Sequence, residues 1–385
     1  GHTSWPEDAW RRINGVNNWV GMSVDQRRGL VFAPIASAKD MAGGFYGGRR
    51  LGDNLYSSSI VALDAATGHL RWSRQLVRHD LWDYDAGPQP TLVQVRWRGQ
   101  LWDAIAQPTK MGYLYLLDRD TGRPLQPMKV LRTPPSDVPG ERAARTQVVP
   151  AWPLPFTRQR LGPDDLTRRT PQARAAALAE FSRLRHRGMF EPPSLQGTVV
   201  FPGFGGGAAW GGAAYDPGLG YLFINSNEIA WIVQLGALKP GADGQPAYWL
   251  KQFRRFLDAQ GYPATSPPWG RLSAIDLRTG RYVWSQPFGD YPDLAGRQPS
   301  AGSENYGGGV ATASGLLFIG ASIWDNRFRA FDSRSGKLLW SATLEAAANA
   351  TPAVYVVDGV QFVVVAAGGG KSPLSPPASK YVAFS

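Results

Sequence analysis

A short sequence unit recurs along this chain and limits the folds that it can adopt. Each copy is an apolar run that ends in Asp, followed after three residues by Gly and then by a second short run. The copies lie at residues 60–72 (IVALDAATGHLRW), 114–125 (LYLLDRDTGRPL), 272–284 (LSAIDLRTGRYVW) and 328–340 (FRAFDSRSGKLLW). The unit is typical of a β-hairpin, because the Asp side chain can cap the turn and the Gly supplies a positive φ.

Three of the copies carry a tryptophan eight residues after the Asp, namely Trp72, Trp284 and Trp340. We expect these rings to pack between neighbouring sheets and to take no part in chemistry. A second unit, a turn followed by an apolar strand, precedes three of the hairpins, at residues 24–33, 215–224 and 312–321. Together the two units supply the four strands of one blade, and a repeated blade predicts a β-propeller.

The fold class predicted from these repeats is all-β, a single β-propeller domain over residues 1–385. We count about five blades, near residues 20–76, 90–130, 208–285, 305–344 and 351–384. The last blade lacks its own Asp-Gly-Trp unit, which we expect if an N-terminal strand completes it. The chain also begins with polar and aromatic residues that run directly into a strand, so we expect missing blades upstream of residue 1.

Two segments interrupt the β pattern and predict short helical insertions. The insertion at residues 130–200 contains Thr170 and Pro171, a typical helix start, so we expect a helix at residues 171–186. The run YWLKQFRRFLDAQ at residues 248–260 predicts a second helix that ends at the following glycine.

Composition excludes several classes of protein. The chain has no Cys, which excludes disulfides and thiolate metal sites. The formal net charge of +11 is the difference between 41 basic and 30 acidic residues. The basic residues are scattered and densest at residues 142–187, so we favour a basic insertion over a nucleic-acid surface and expect no nucleic-acid partner. No stretch approaches the roughly 18 apolar residues that a membrane span needs, and no signal pattern begins the chain.

The stretch VRHDLWDYDAGPQP places three carboxylates and a His between two apolar strands. If its backbone is extended, Asp83 lies apart from Asp80 and Asp85, and Trp82 and Tyr84 shield the site. A shielded carboxylate can act as a base. The alternative is an acidic loop between blades whose carboxylates only form turn hydrogen bonds.

Lys110 lies where a polar loop becomes a buried strand, in the run AQPTKMGYLYLLD. We expect its ammonium to face an anionic cofactor near the propeller axis, and the alternative is a surface lysine that buries only its stem. Other catalytic signatures are missing from the sequence, which has no phosphate-binding loop and no HExxH pair. The four histidines, His2, His69, His79 and His186, have unrelated spacings.

These features, in this order, resemble the PQQ-dependent quinoprotein dehydrogenases and in particular their glucose-dehydrogenase-like branch. The resemblance is carried by the repeats, by HDLWDYD and by a Lys 27 positions after Asp83. It extends through GLVFAPIAS, SDVPGE, WGGAAYDPGLGYLFINSNE, NYGGGVATASGLLFIGA and VDGVQFVVVAAGGG. It implies an eight-bladed propeller that holds pyrroloquinoline quinone (PQQ) over its axis with Ca²⁺ beside it. This chain would be the C-terminal part of that propeller.

The resemblance also implies an activity and roles for individual residues. The activity is oxidation of an aldose, such as glucose, or of an alcohol. Asp83 matches the carboxylate that takes the proton of the substrate hydroxyl while hydride passes to the quinone. Lys110 matches the lysine that hydrogen-bonds the quinone and stabilises charge on its oxygen. Trp210, Asn305 and Tyr306 lie in segments that match the loops lining the cofactor.

Two positions depart from the family pattern. Ser37 aligns with a metal-binding Asn of related alcohol dehydrogenases, and Ala209 aligns with an Asn that usually precedes the WGG motif. Ser37 and Asp83 are therefore the metal ligands that the resemblance implies in this chain. Because a neutral Ser oxygen binds Ca²⁺ more weakly than a carboxylate, we expect the affinity for the metal to be poor.

The resemblance further implies a periplasmic enzyme that passes electrons to ubiquinone or a cytochrome, with attachment to the inner membrane through an upstream segment. Two alternatives stay open. One is a non-catalytic propeller scaffold that binds proteins through its rim, and the other is an inactive, truncated paralogue that has lost the cofactor. The presence of both Asp83 and Lys110 favours the enzyme over the scaffold.

Overall fold

The computed structural model of the protein describes residues 2–41, 44–240, 244–294 and 301–385. Strands dominate these residues. In chain order they are β1 (Ile13–Gly15), β2 (Ser23–Asp25), β3 (Leu30–Pro34), β4 (Ala38–Asp40), β5 (Ser59–Asp64), β6 (Leu70–Gln75), β7 (Thr91–Trp97), β8 (Gln100–Pro108), β9 (Leu114–Asp118), β10 (Met128–Arg132), β11 (Thr146–Pro150), β12 (Thr198–Val200), β13 (Ala214–Asp216), β14 (Tyr221–Asn227), β15 (Trp231–Leu238), β16 (Ala247–Arg255), β17 (Gly270–Asp276), β18 (Arg281–Pro287), β19 (Gly309–Ala311), β20 (Leu316–Ile319), β21 (Arg327–Asp332), β22 (Leu338–Thr343), β23 (Ala353–Val357), β24 (Val360–Ala367) and β25 (Lys380–Phe384). An α-helix, α1 (Pro171–Phe181), and short 3-10 helices at His2–Ser4, Ala9–Arg11, Pro163–Asp165 and Pro292–Leu294 complete the described elements.

Five antiparallel sheets follow one another along the described chain as blades. They are β2-β3-β5-β6, β7-β8-β9, β13-β14-β17-β18, β19-β20-β21-β22 and β23-β24-β25. The first strands of the first four blades, β2, β7, β13 and β19, lie against one another in that order. The blades therefore stand side by side with their first strands together, as in a propeller. This confirms the predicted fold class and the order of the blades.

The hairpin turns have the predicted geometry. Asp64 Oδ1 accepts hydrogen bonds from the backbone N and from Oγ1 of Thr67, each at 2.9 Å, and Gly68 follows with a φ of +73°. In the fourth blade, Asp332 Oδ1 accepts the same pair of bonds from Ser335 at 2.7 and 2.6 Å. The Asp side chain thus satisfies the donors of the turn, and Gly adopts the left-handed backbone conformation at low cost.

The tryptophans of the repeat pack between blades, as predicted. Trp72 Nε1 donates a hydrogen bond of 2.9 Å to a backbone carbonyl of the second blade, and its ring covers Gly122, where a Cβ would come within 2.4 Å. Trp284 Nε1 makes the equivalent bond to the fourth blade at 3.1 Å. Trp340 packs edge-on against Phe384 of the fifth blade, with ring centroids 5.0 Å apart. These rings join consecutive sheets.

The second blade lacks a tryptophan at this position, and the insertion that follows it supplies one. Gln126 stands where the other units have Trp, and its side chain instead donates to a carbonyl of β9 at 2.8 Å. Trp152 covers Gly280 of the third blade, where a Cβ would lie 1.9 Å from the ring. It also packs on Trp97, with centroids 4.7 Å apart. The insertion therefore completes the contact between the second and third blades.

The helix predicted in the insertion is present but shorter than expected. Helix α1 begins at Pro171, and the side chain of Thr170 accepts a hydrogen bond from the backbone N of Ala173 at 3.0 Å. It ends at Phe181 rather than at residue 186, because Arg185 leaves the helix to pair with Thr198 of β12. None of the helices among the described residues is long and apolar enough to cross a membrane.

The second predicted helix was wrong. Residues 248–260 contain most of β16 (Ala247–Arg255), which pairs with β15 from Trp231 opposite Arg255 to Leu238 opposite Ala247. The run is rich in aromatic residues, which suit a pleated surface. The neighbouring strand β15 supplies backbone partners along the whole of β16. This pairing between separate segments overrides the local preference for a helix.

Candidate active site

The acidic stretch connects the first blade to the second, between β6 and β7, and two of its residues, His79 and Asp83, have a positive φ. Asp83 has a φ of +58°, in the left-handed region. The carboxylates of Asp83 and Asp85 both contact the same ammonium group, that of Lys110. The prediction that Asp83 lies apart from Asp85 was wrong, because side chains two residues apart on an extended chain point to the same side.

Two lysines and two aspartates form the centre of the site. Lys110 Nζ lies 3.0 Å from Asp83 Oδ2 and 2.8 Å from Asp85 Oδ2. Lys39 Nζ lies 2.5 Å from Asp83 Oδ1, and the backbone N of Ser37 donates to Asp85 Oδ1 at 2.6 Å. The Lys110 side chain is 8% exposed and that of Lys39 is 39% exposed. The structure therefore brings Asp83 and Lys110 into direct contact in the interior, with Lys39 at the rim.

The charges of this cluster keep Asp83 ionised. Burial acts to raise the pKa of Asp83, but Lys110 and Lys39 outweigh it and hold that pKa below its ordinary value of 3.8. Burial also acts to lower the pKa of Lys110, and the carboxylates of Asp83 and Asp85 outweigh it, so the pKa of Lys110 is raised. At neutral pH the site therefore contains a carboxylate and an ammonium group in contact.

Asp80 lies apart from this cluster and supports the loop. Its Oδ2 accepts a hydrogen bond from Ser58 Oγ at 2.7 Å, and its Oδ1 accepts one from the backbone N of Trp82 at 2.8 Å. Burial raises the pKa of Asp80. The side chains of Trp82 and Tyr84 are buried in the core, where they donate to backbone carbonyls at 2.7 and 3.0 Å. These two rings cover the inner side of the acidic stretch.

A cavity of about 260 Å³ opens beside Asp83. Trp210 and Tyr306 line it, and their rings lie parallel, with an interplanar angle of 4° and centroids 4.6 Å apart. Arg255 and Lys371 also line the cavity, and Lys371 Nζ lies 5.3 Å from the centre of the Trp210 ring. A second cavity of about 400 Å³ shares Trp210 and Lys371 with the first. The site thus combines flat aromatic faces, positive charge and one carboxylate.

Tyr306 is held in place by an acidic side chain. Its hydroxyl donates to Glu304 Oε1, which also accepts a hydrogen bond of 2.9 Å from Arg255. Burial raises the pKa of Tyr306, and the Glu304 charge raises it further. The phenol is therefore neutral, and its ring is fixed against Trp210.

Asn305, which the sequence placed among the cofactor-binding residues, has a different position. Its Nδ2 donates to the backbone carbonyl of Ser226 at 3.1 Å, and its Oδ1 accepts from Asn225 Nδ2 at 2.6 Å. It is not among the residues that line either cavity. Its amide connects the fourth blade to β14, and the cofactor role of Asn305 stays a prediction.

Sequence reasoning missed several residues of the site. Trp19 lines the second cavity, and its ring centre lies 5.8 Å from Lys110 Nζ. Gly206, with a φ of +82°, passes so close to Lys110 that a Cβ there would lie 2.6 Å from Cγ of the lysine. The other missed residues are Lys39, Arg255 and Lys371. No local pattern marks them, because they come from segments far apart in the chain.

The residues expected to bind Ca²⁺ do not form a suitable donor set. Ser37 Oγ donates to the carbonyl of Ala38 at 3.4 Å, and both oxygens of Asp83 face lysine ammonium groups. The described residues contain no group of three or more His, Cys, Asp or Glu side chains that could hold a metal. Ca²⁺ prefers about six to eight oxygen ligands, so this arrangement does not fit it.

Comparison with known proteins identifies the family. Residues 1–363 match the family described as PQQ glucose/ethanol/alcohol dehydrogenase, beta-propeller domain. The chain belongs to this family. The resemblance to quinoprotein dehydrogenases that the sequence motifs predicted is thereby confirmed.

Curated members of the quinoprotein dehydrogenases match most of the chain. The quinate/shikimate dehydrogenase (quinone) of Acinetobacter baylyi is 34% identical over 98% of this chain and 49% of its own length. The quinoprotein glucose dehydrogenase of Escherichia coli is 35% identical over 93% of this chain and 47% of its own length. The chain therefore spans about half the length of these relatives.

Solved structures of two dehydrogenases share the fold. A europium-containing methanol dehydrogenase superposes with a TM-score of 0.63 at 22% identity, over 95% of this chain and 53% of that chain. The quinohemoprotein alcohol dehydrogenase of Comamonas testosteroni gives a TM-score of 0.60 at 22% identity, over 92% and 45% of the two chains. At this level of identity the likeness concerns the blades rather than the chemistry.

The residues around the two cavities fit PQQ, the cofactor of the family. PQQ is a flat quinone that carries carboxylates. The ring faces of Trp19, Trp210 and Tyr306 suit a flat molecule, and Lys371 supplies a positive charge for a carboxylate. Lys110 offers an ammonium group next to Asp83. These residues would hold the quinone close to the buried carboxylate.

Proposed function

We propose that this protein is a PQQ-dependent dehydrogenase that oxidises an aldose, such as glucose, or an alcohol. The contact between Asp83 and Lys110 carries this proposal, because Asp83 lines a cavity and Lys110 holds a charge-stabilising ammonium group against that carboxylate. The names of related proteins support a hydroxyl substrate, since they include dehydrogenases of glucose, glycerol and quinate or shikimate.

The chain's own residues would divide the chemistry as follows. PQQ, when bound, supplies the hydride acceptor. The carboxylate of Asp83 accepts the proton of the substrate hydroxyl, because hydride leaves a carbon more readily when its hydroxyl is losing a proton. Lys110 keeps its proton and stabilises negative charge that develops beside it. Trp210 and Tyr306 present a flat surface and exclude water from one side of the cavity.

The same function implies an electron acceptor and a location. Electrons pass to ubiquinone or a cytochrome. A quinone acceptor agrees with the relative from Acinetobacter baylyi, which is named a quinate/shikimate dehydrogenase (quinone). The protein works in the periplasm, attached to the inner membrane by an upstream segment, and this rests on the family resemblance alone. The proposal assigns no step to Ca²⁺, because the oxygens of Asp83 are already paired with lysines.

The decisive experiment is quinone-dependent dye reduction by the full chain reconstituted with PQQ, using glucose and simple alcohols. We expect Asp83→Asn to lower kcat by about 10²- to 10⁴-fold, the usual contribution of a general base. The variant should remain folded at the assay temperature, because Lys110 keeps its contact with Asp85. The matched control is Asp358→Asn in an exposed turn of the fifth blade. Unchanged turnover in Asp83→Asn that still binds PQQ would refute the assignment of Asp83, and absence of any PQQ binding would favour the scaffold.

A further inference from the structure

The carboxylate of Asp83 lies between two ammonium groups that come from different parts of the fold. Lys110 approaches Oδ2 from the loop between β8 and β9, at 3.0 Å. Lys39 approaches Oδ1 from β4, at 2.5 Å. Lys39 follows Ser37 by two positions, and the backbone N of Ser37 donates to Asp85 Oδ1 at 2.6 Å. Asp83 therefore has a side-chain cation against each of its two oxygens.

The four carboxylate oxygens of Asp83 and Asp85 each have a nitrogen partner at short distance. Lys39 and Lys110 take the two oxygens of Asp83, and Lys110 and the backbone N of Ser37 take those of Asp85. The two negative charges are therefore balanced by two positive charges. A divalent cation added here would bring an excess charge of +2 into a buried site, next to two ammonium groups, at a high electrostatic cost.

We propose that Lys39 is the resident cation of this site, a positioning residue whose ammonium occupies the place of a divalent metal against Asp83. The site therefore needs no Ca²⁺ to keep Asp83 ionised and oriented. The Lys39 side chain also passes near Phe45, with Nζ 5.8 Å from the ring centre, which helps to hold it over the carboxylate. This inference deepens the function proposed for the same site and relies on that function only for the role of Asp83.

The test is a calorimetric titration of the full chain with Ca²⁺ in the absence of quinone, so that it does not depend on the proposed activity. The variants are Lys39→Met and Lys39→Gln, each alone and combined with Asp83→Asn, and the control is Lys337→Met on an exposed turn. We expect no Ca²⁺ binding that depends on Asp83 in the wild type. Because solvent screens the charge of Lys39, whose side chain is 39% exposed, we expect its removal to tighten Ca²⁺ binding by only about 10-fold relative to the wild-type detection limit, which makes Asp83-dependent binding measurable.

Each outcome decides the proposal. Gain of Asp83-dependent Ca²⁺ binding in either Lys39 variant, but not in Lys337→Met, supports it. Ca²⁺ binding by the wild type that Asp83→Asn abolishes overturns it. If Lys39→Met and Lys39→Gln are folded and neither gains Ca²⁺ binding, the proposal is also overturned, because the Lys39 ammonium would then not stand where a divalent cation can bind. A purely structural lysine would change the melting temperature without changing the affinity for Ca²⁺.

A second measurement concerns the quinone itself. In the wild type, PQQ binding is measured by quenching of tryptophan fluorescence in two solutions. One contains a metal chelator and the other contains excess Ca²⁺. We expect the same Kd in both solutions. A Kd that weakens about 10-fold in the chelator and recovers with Ca²⁺ would contradict the proposal. If PQQ does not bind in either solution, the proposed function fails, while the calorimetric result still decides the role of Lys39.

Discussion

Gly336 and Gly68 occupy the same position in the same kind of turn, but only Gly336 lies under a docked tryptophan. Their φ angles are +72° and +73°. A Cβ on Gly336 would lie 2.7 Å from the ring of Trp284, whereas a Cβ on Gly68 has no described atom within 4 Å. Alanine substitutions at the two positions therefore separate the free-energy cost of a positive φ from the cost of disturbing the tryptophan contact between blades.

The expected losses follow from these distances. Alanine in the left-handed region costs about 1–2 kcal/mol, so Gly68→Ala should destabilise the protein by about that amount. Gly336→Ala carries the same cost and must also displace the Trp284 ring, which holds a hydrogen bond of 3.1 Å to the carbonyl of Ser333. Overpacking of this kind adds about 1–3 kcal/mol, so the total for Gly336→Ala is about 2–5 kcal/mol.

The assay is urea unfolding of both variants and the wild type, followed by tryptophan fluorescence and checked by calorimetric melting. Gly336→Ala should also change the fluorescence of the folded state, because Trp284 moves. Equal free-energy losses in the two variants, within about 0.5 kcal/mol, would refute the idea that the tryptophan contact stabilises the junction of blades.

Two further predictions concern the charges of the site. Lys110→Met should lower the free energy of unfolding at pH 7 by about 3–5 kcal/mol in urea titrations, because it leaves the buried Asp85 without an ammonium partner and Asp83 with Lys39 alone. A loss no larger than that of the surface control Lys337→Met would contradict this. In the folded protein the pKa of Asp83 is held below 3.8, the value of the unfolded chain. The ionised Asp83 therefore stabilises the fold above pH 3.8, and this stabilisation is lost as the pH falls through the lower pKa of the folded state. Asp83→Asn should therefore flatten the dependence of unfolding free energy on pH below about 4, and an unchanged acid slope would show that the ion pairs do not stabilise the fold.

Much of the fold could be predicted because its signals are local. The Asp and Gly of each hairpin satisfy hydrogen bonds within a few residues, so the turns and blades appear directly in the sequence. The helix α1 is marked by Thr170 and Pro171, which cap its first turn. Its end and the nature of β16 depend on pairing with strands elsewhere, and no local rule predicts those contacts.

The sequence alone determined the repeated hairpins, the blade order, the family resemblance and the choice of Asp83 and Lys110, because each rests on residues close together or on an ordered motif. The tertiary structure determined which residues from other parts of the chain contact them. Trp152 replaces the tryptophan missing at Gln126 only because the insertion folds back onto the third blade. Lys39 contacts Asp83 across 44 positions only because the fold places β4 beside the loop between β6 and β7. Such charge contacts depend on distance in space, which the order of residues along a chain does not specify.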